Sequence, residues 1–193
     1  SVPAGLSVVE GGKIPYKKSA LKIRNKNKED WLNRDPEIKC YLPGVPRATY
    51  MPYAFQIFQS AEAVFFAYEY AGATRNILLQ DPGEAPVDSW MGQSRGYWED
   101  NSFIIKTNGF NGQTWLDRSG NFHSDKLNVT EKYTLVNDHV MEYEATLEDE
   151  ETYTRPWTIK MNLYKKTGQD AQLQQFKCVE FVEELLYGEW RAK

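Results

Sequence analysis

From residue 52 onward the chain alternates apolar and polar positions in short runs, the period of strands that bury one face. The runs are PYAFQIFQS, AVFFAYEYA, TRNILLQD, QSRGYWED, SFIIKTNGF, KLNVTEKYTLV, HVMEYEATLED, YTRPWTIKMNLYKK and LQQFKCVEFV. Several are joined by short turn sequences such as Asp100-Asn101 and Asn137-Asp138, which makes sequence neighbours antiparallel partners. A meander of this kind removes its exposed edges by closing on itself. The expected fold is therefore all-β, an antiparallel up-and-down β-barrel of lipocalin-like architecture with about eight or nine strands, wide enough for packed side chains or one small ligand. The first 50 residues show no such period. VEGGKIPY and KCYLPGVPR are rich in turn formers, and a short helix is expected over residues 17–33. Residues 1–50 read as an irregular arm packed on the barrel or swapped from it, and residues 51–193 as the barrel domain. A second short helix is expected over residues 183–190.

One segment breaks the alternation. Residues 111–125, NGQTWLDRSGNFHSD, place an Arg, a His, a Trp and two Asp in a single loop. Long loops in compact domains are mostly functional or disordered, and aromatic content argues against disorder. His123 with Asp117 or Asp125 suits a general acid–base pair, with an Arg to stabilise developing negative charge. Trp115 and Arg118 in this loop, and Trp90 in the turn-rich segment 81–92, suit ligand contact at a barrel mouth. Only two histidines are present, His123 and His139, so a multi-His metal site is excluded. No nucleophile elbow, P-loop or dinucleotide fingerprint occurs, and neither metal nor cofactor is expected.

Sorting the strands by face isolates three charges among apolar neighbours. Glu131 shares a face with Leu127, Val129, Tyr133 and Leu135; Arg155 with Tyr153, Trp157 and Ile159; Arg75 with Ala73, Ile77 and Leu79. Buried charges must pair or face a wet cavity, and Arg suits carboxylate or phosphate. Arg75, Glu131 and Arg155 are thus expected to contact a ligand inside the barrel. Structural ion pairs, or strand ends that reach solvent, are the alternatives left open.

Composition narrows the field further. A chain of 193 residues is one domain by default, and 14% aromatic content favours strands around a large core or lined cavity. The net charge of −4 is spread along the chain, with no broad basic surface for nucleic acid. The one basic cluster, KIRNKNK, lies in the arm and reads as a solvated face. No apolar run reaches the length of a transmembrane helix. The start at Ser1-Val2-Pro3, without Met, is compatible with a removed signal peptide and equally with trimming. Two cysteines, Cys40 and Cys178, suggest one disulfide in an exported chain; two separate buried thiols are the alternative.

Taken together, DPEIKCYLPGVPR, PYAFQIFQS, TRNILL, DSWMGQSRGYWEDNSFIIKTNGFN, TWLDRSGNFHSDKLNVTEKY and YTRPWTI resemble a family of exported bacterial proteins of unknown function. The resemblance covers residues 35–180. It implies a periplasmic or secreted location and a Cys40–Cys178 pairing, and it brings no activity or catalytic residues. The leading expectation is an exported β-barrel that binds a small molecule. The rivals are a hydrolase or lyase acting on a small metabolite or sugar through His123, and an assembly subunit that joins a second copy or another protein through residues 1–50.

Overall fold

The alternating runs become eight strands: β1 (Phe55–Gln59), β2 (Ala63–Tyr68), β3 (Thr74–Leu78), β4 (Gln93–Glu99), β5 (Ser102–Asn108), β6 (Asn128–Asn137), β7 (Val140–Glu148) and β8 (Trp157–Tyr164). The structure is a computed structural model that describes residues 9–169, 171–176 and 178–190. The strands lie in chain order in a single curled sheet that forms a half-barrel. The expected ninth strand does not form: residues 173–176 and 178–180 are irregular, and Lys177 lies outside the described residues.

Two features depart from a closed antiparallel barrel. Among the described residues β1 and β8 share no ladder. In addition β3 and β4 run parallel, in register at Ile77–Ser94 and Leu78–Arg95. Parallel neighbours need a crossover connection, and residues 79–92 supply it by returning from the hairpin-tip end of the sheet to the opposite end. The hairpin-tip end carries the β1–β2, β4–β5 and β6–β7 turns. The opposite end carries residues 109–127 and 149–156.

The concave face holds the core, running from Phe66 on β2 through Ile77, Ile105 and Val129 to Tyr143, Leu147 and Ile159. Gly96 on β4 has no side chain because Phe103 and Ile77 occupy the space: a Cβ there would lie 2.4 Å from the Phe103 ring. The arm fills the rest of the curl. Its helices are α1 (Lys18–Glu29), α2 (Trp31–Arg34) and α3 (Arg47–Tyr50), with a 3-10 turn at Pro36–Lys39; the helix expected over residues 17–33 is realised as α1 and α2. Val45 and Ala48 join the sheet core. The Thr49 hydroxyl lies 3.3 Å from that of Tyr133, and Tyr50 donates to the Leu116 carbonyl at 2.7 Å. Val9 and Tyr16 make isolated bridges to Ile159 and Tyr153, so the described part of the arm packs on its own sheet. Residues 1–8 lie outside the described residues.

After β8 the chain crosses back toward the arm. The Gln174 amide donates to Glu69 at 2.7 Å, and the Phe176 ring packs 4.7 Å from Tyr53 and 5.2 Å from Tyr70. Cys178 is disulfide-bonded to Cys40, 138 residues away in sequence. Closing a loop of this length restricts the unfolded chain by about 5 kcal/mol in the chain-entropy treatment. Helix α4 (Val182–Tyr187) and a 3-10 turn at Gly188–Trp190 end the described chain, where the second short helix was expected.

An ion pair sits at the centre of the sheet. Arg75 is 3% exposed and Glu131 is fully buried, and the guanidinium Nη2 bonds the carboxylate. Arg75 also donates to Ser94 Oγ at 2.8 Å and Thr107 Oγ1 at 2.5 Å. Tyr133 and Tyr143 donate to the second carboxylate oxygen at 3.0 and 2.9 Å. Removing one member strands the other's charge without a partner, which costs about 3–5 kcal/mol. Glu131→Ala is therefore expected to lose that much in urea unfolding. The pair Arg75→Met with Glu131→Leu is expected to recover most of it, and a double variant no more stable than Glu131→Ala would show that the stranded charge is not what the single substitution costs.

Candidate functional site

Residues 111–125 form an ordered loop that seats the arm. Gly120, at φ +81°, lies against α1: a Cβ would come within 2.6 Å of the Lys28 amide. Asn27 donates to the Gly120 carbonyl at 3.4 Å. Arg118 clasps Glu37 of the Pro36–Lys39 turn through Nε at 3.0 Å and Nη2 at 2.9 Å, with its guanidinium 5.7 Å from the Trp31 ring centroid. Glu37 also bonds Arg47, which makes a two-armed pair with Asp35 at 2.9 Å for each contact. Burial works against the charge on Glu37, but the Arg118 hydrogen bonds and the charges of Arg47 and Arg118 hold its carboxyl below the usual carboxylate range.

The residues expected to do chemistry are engaged within the fold. His123 is 1% exposed. Its Nδ1 lies 2.7 Å from the Ser124 carbonyl, so Nδ1 donates, and Nε2 accepts from the Thr114 hydroxyl at 2.6 Å. Asp117 accepts from the Ser119 amide at 2.8 Å and from Asn121 Nδ2 at 2.7 Å, fixing the turn. Asp125 pairs with Lys126 on the surface at 3.0 Å. Trp115 is buried, and Trp90 packs on the Tyr41 ring at 4.9 Å. The inward charges are not brought together as expected. Arg75 and Glu131 meet, whereas Arg155 is exposed in a bend before β8 and donates to the Pro156 carbonyl. The alternation through Arg155 is broken because Pro156 turns the chain and the ladder begins only at Trp157.

The concave interior is packed with aromatic side chains around the Arg75–Glu131 pair. Burial raises the Tyr133 and Tyr143 phenols well above their ordinary value, and the charge of Glu131 adds to it. Burial likewise lifts Tyr68 to about 12, with Arg75 working in the other direction.

A groove of about 410 Å³ lies instead on the outer, convex face. The crossover passes over β4, β5 and β6 and presents Asp81, Pro82 and Gly83 to them, with Glu148 of β7 on the far side. The floor is mainly outward positions that alternate with the core, Gln93 and Arg95 on β4, Lys106 and Asn108 on β5, Asn128 and Thr130 on β6, with the inward Thr107 and Val129 between them. Arg95 and Lys106 are direct register partners. Like charges in that arrangement are destabilising by up to about 1 kcal/mol. Asp81 offsets one of them, bonding Arg95 at 2.7 Å, while Gln93 holds the loop through the Gly83 carbonyl at 2.9 Å. The Lys106 ammonium lies 5.9 Å from the Tyr97 ring centroid. Sorting faces for charges among apolar residues overlooked these positions, although the outward phase of SRGYWE and IIKTN contains them.

Among the described residues no group of three or more His, Cys, Asp or Glu side chains is placed to hold a metal ion, and no helix is long and apolar enough to cross a membrane. No protein-family model, curated protein or solved structure matches the chain.

The enclosed histidine gives a pH signature. Burial lowers the His123 pKa, against the Ser124 hydrogen bond and the charge of Asp149. Below about pH 6.5 the unfolded chain takes up a proton here that the folded chain resists, so stability falls as pH drops through that value and levels off only below the depressed folded pKa. Urea unfolding at pH 7.5 and again below pH 6 is expected to show this loss in the wild-type chain and a smaller loss in His123→Gln. Equal pH dependence in the two would show that the ring does not titrate as described.

Proposed function

We propose that the protein is an exported binding module for a small polyhydroxylated molecule carrying one carboxylate or phosphate, held in the outer groove. The observation that carries this reading is the register pair Arg95–Lys106. Two cations held side by side on a rigid sheet offer an anion a two-point seat, and the Arg guanidinium suits a planar carboxylate. Around them Gln93, Asn108, Asn128 and Thr130 supply donors and acceptors of the kind that hydroxyl groups use, and Glu148 adds a strong acceptor. The groove volume falls in the range of small-molecule sites. Asp81 stands in for the ligand's anion and gives way when it binds. Engagement of His123, Asp117 and Arg118 within the fold favours binding over catalysis by the 111–125 loop. Export accords with the Cys40–Cys178 disulfide, since such bonds persist mainly in oxidising compartments.

The test is calorimetric titration with D-glucuronate, and with D-glucose as its neutral counterpart. The acid is expected to bind and the neutral sugar to bind far more weakly, with affinity falling as salt rises. Arg95→Ala and Lys106→Ala are each expected to weaken binding about tenfold, the loss of one charge-assisted hydrogen bond. Equal affinity for both sugars, or full affinity in both variants, would overturn the reading.

A further inference from the structure

The two edges of the sheet are treated differently. On β8, Lys160 pairs with Glu142 and Glu144 of β7, and Val9 of the arm bridges Ile159. β1 pairs with β2 alone, and among the described residues nothing bonds its other side. Natural edge strands are blunted by lysines, prolines, bulges or a covering segment, and among the described residues β1 has none of these. From residue 48 to residue 68 the chain carries a single charge, Glu62, although charged residues make up 26% of the whole. The strand is also apolar where it meets solvent: Ile57 is 41% exposed, Phe58 48% and its register partner Phe65 38%. The Phe58 and Phe65 rings pack 6.3 Å apart on the outer face.

We infer that β1 is a self-association edge, and that its partner is the β1 of a second copy of this chain, paired antiparallel about a twofold axis through Ile57. The sequence FQIFQ is nearly self-complementary in that register. Ile57 falls opposite its own copy, Gln56 opposite Phe58, and Phe55 opposite Gln59. No charge from either strand faces a like charge across the axis. On the outer face the two Phe58 rings become diagonal neighbours, within aromatic reach, and with the two Phe65 rings they form one four-ring cluster. The pairing satisfies the free backbone groups of both edges and joins two half-barrels into one sheet. An isologous contact of this kind closes at two subunits and does not propagate.

Sedimentation velocity on the whole chain, at concentrations up to about 100 μM where weak dimers become populated, tests the inference. A concentration-dependent dimer is expected. Phe58→Lys and Gln56→Lys, both at outward positions, are each expected to raise the dissociation constant by about tenfold or more, with the thermal unfolding midpoint of the monomer unchanged. Amide hydrogen exchange across residues 55–59 is expected to slow as wild-type concentration rises. A wild-type chain that stays monomeric throughout would overturn the proposal. So would a dimer that survives both lysine variants, or one whose β1 amides exchange at the same rate at every concentration. If Phe58→Lys disturbs folding, the Gln56→Lys variant and the exchange measurement decide.

Discussion

The Arg75–Glu131 pair is the constraint around which the sheet is organised. The sheet has a weak seam, because β3 and β4 meet in parallel over only two register positions. On either side of the seam the antiparallel ladders are longer. Arg75 starts on β3 and reaches across it: it bonds Ser94 on β4, Thr107 on β5 and Glu131 on β6. One side chain thus ties four strands together beneath the plane of the sheet. Burial works against a charged guanidinium, but the charge of Glu131, its hydrogen bond and the neighbouring Tyr68 and Tyr133 together outweigh it, so the Arg75 pKa is raised. Two tyrosine hydroxyls satisfy the other carboxylate oxygen, as a buried ion pair requires if it is to be tolerated, while Nη1 of Arg75 is buried without a hydrogen-bond partner among the described residues.

The same parallel junction produces the outer groove. A hairpin between β3 and β4 would have left the convex face bare. The crossover instead lays Asp81–Pro82–Gly83 over the outward side chains of β4 to β6. The inner charges and the outer charges then serve different ends. Arg75 and Glu131 neutralise one another and hold the fold, whereas Arg95 and Lys106 are set side by side with a single exposed carboxylate between the pair and the loop.

Much of this was legible in the chain. Strand alternation located all eight strands, and its loss before residue 52 marked the arm with its short helix, because these depend on local periodicity; the even cysteine count suggested the Cys40–Cys178 bond but left two separate thiols open. The inward placement of Arg75 and Glu131 followed from the same alternation. What failed depends on geometry beyond the local pattern. The parallel β3–β4 pairing is set by where residues 79–92 travel, and a turn-rich segment reads the same whether it closes a hairpin or crosses a sheet. Arg155 fits the phase of its strand, yet Pro156 delays the ladder by one turn of the alternation. His123 looks reactive as a residue type, and only the positions of Thr114 and the Ser124 carbonyl show that both ring nitrogens are occupied. The ion cluster of Asp35, Glu37, Arg47 and Arg118 joins residues too distant in sequence for spacing to reveal.

The disulfide has a consequence for how the molecule survives damage. Because Cys40 and Cys178 are 138 residues apart, the bond encloses every strand within one covalent ring. A protease that cuts an exposed turn, such as Asp138-His139 between β6 and β7, opens the ring without releasing a fragment. The two pieces stay joined through the sulfurs, and the sheet between them keeps its ladders. A single nick in the enclosed segment would be survivable, and loss of the protein would require two cuts there.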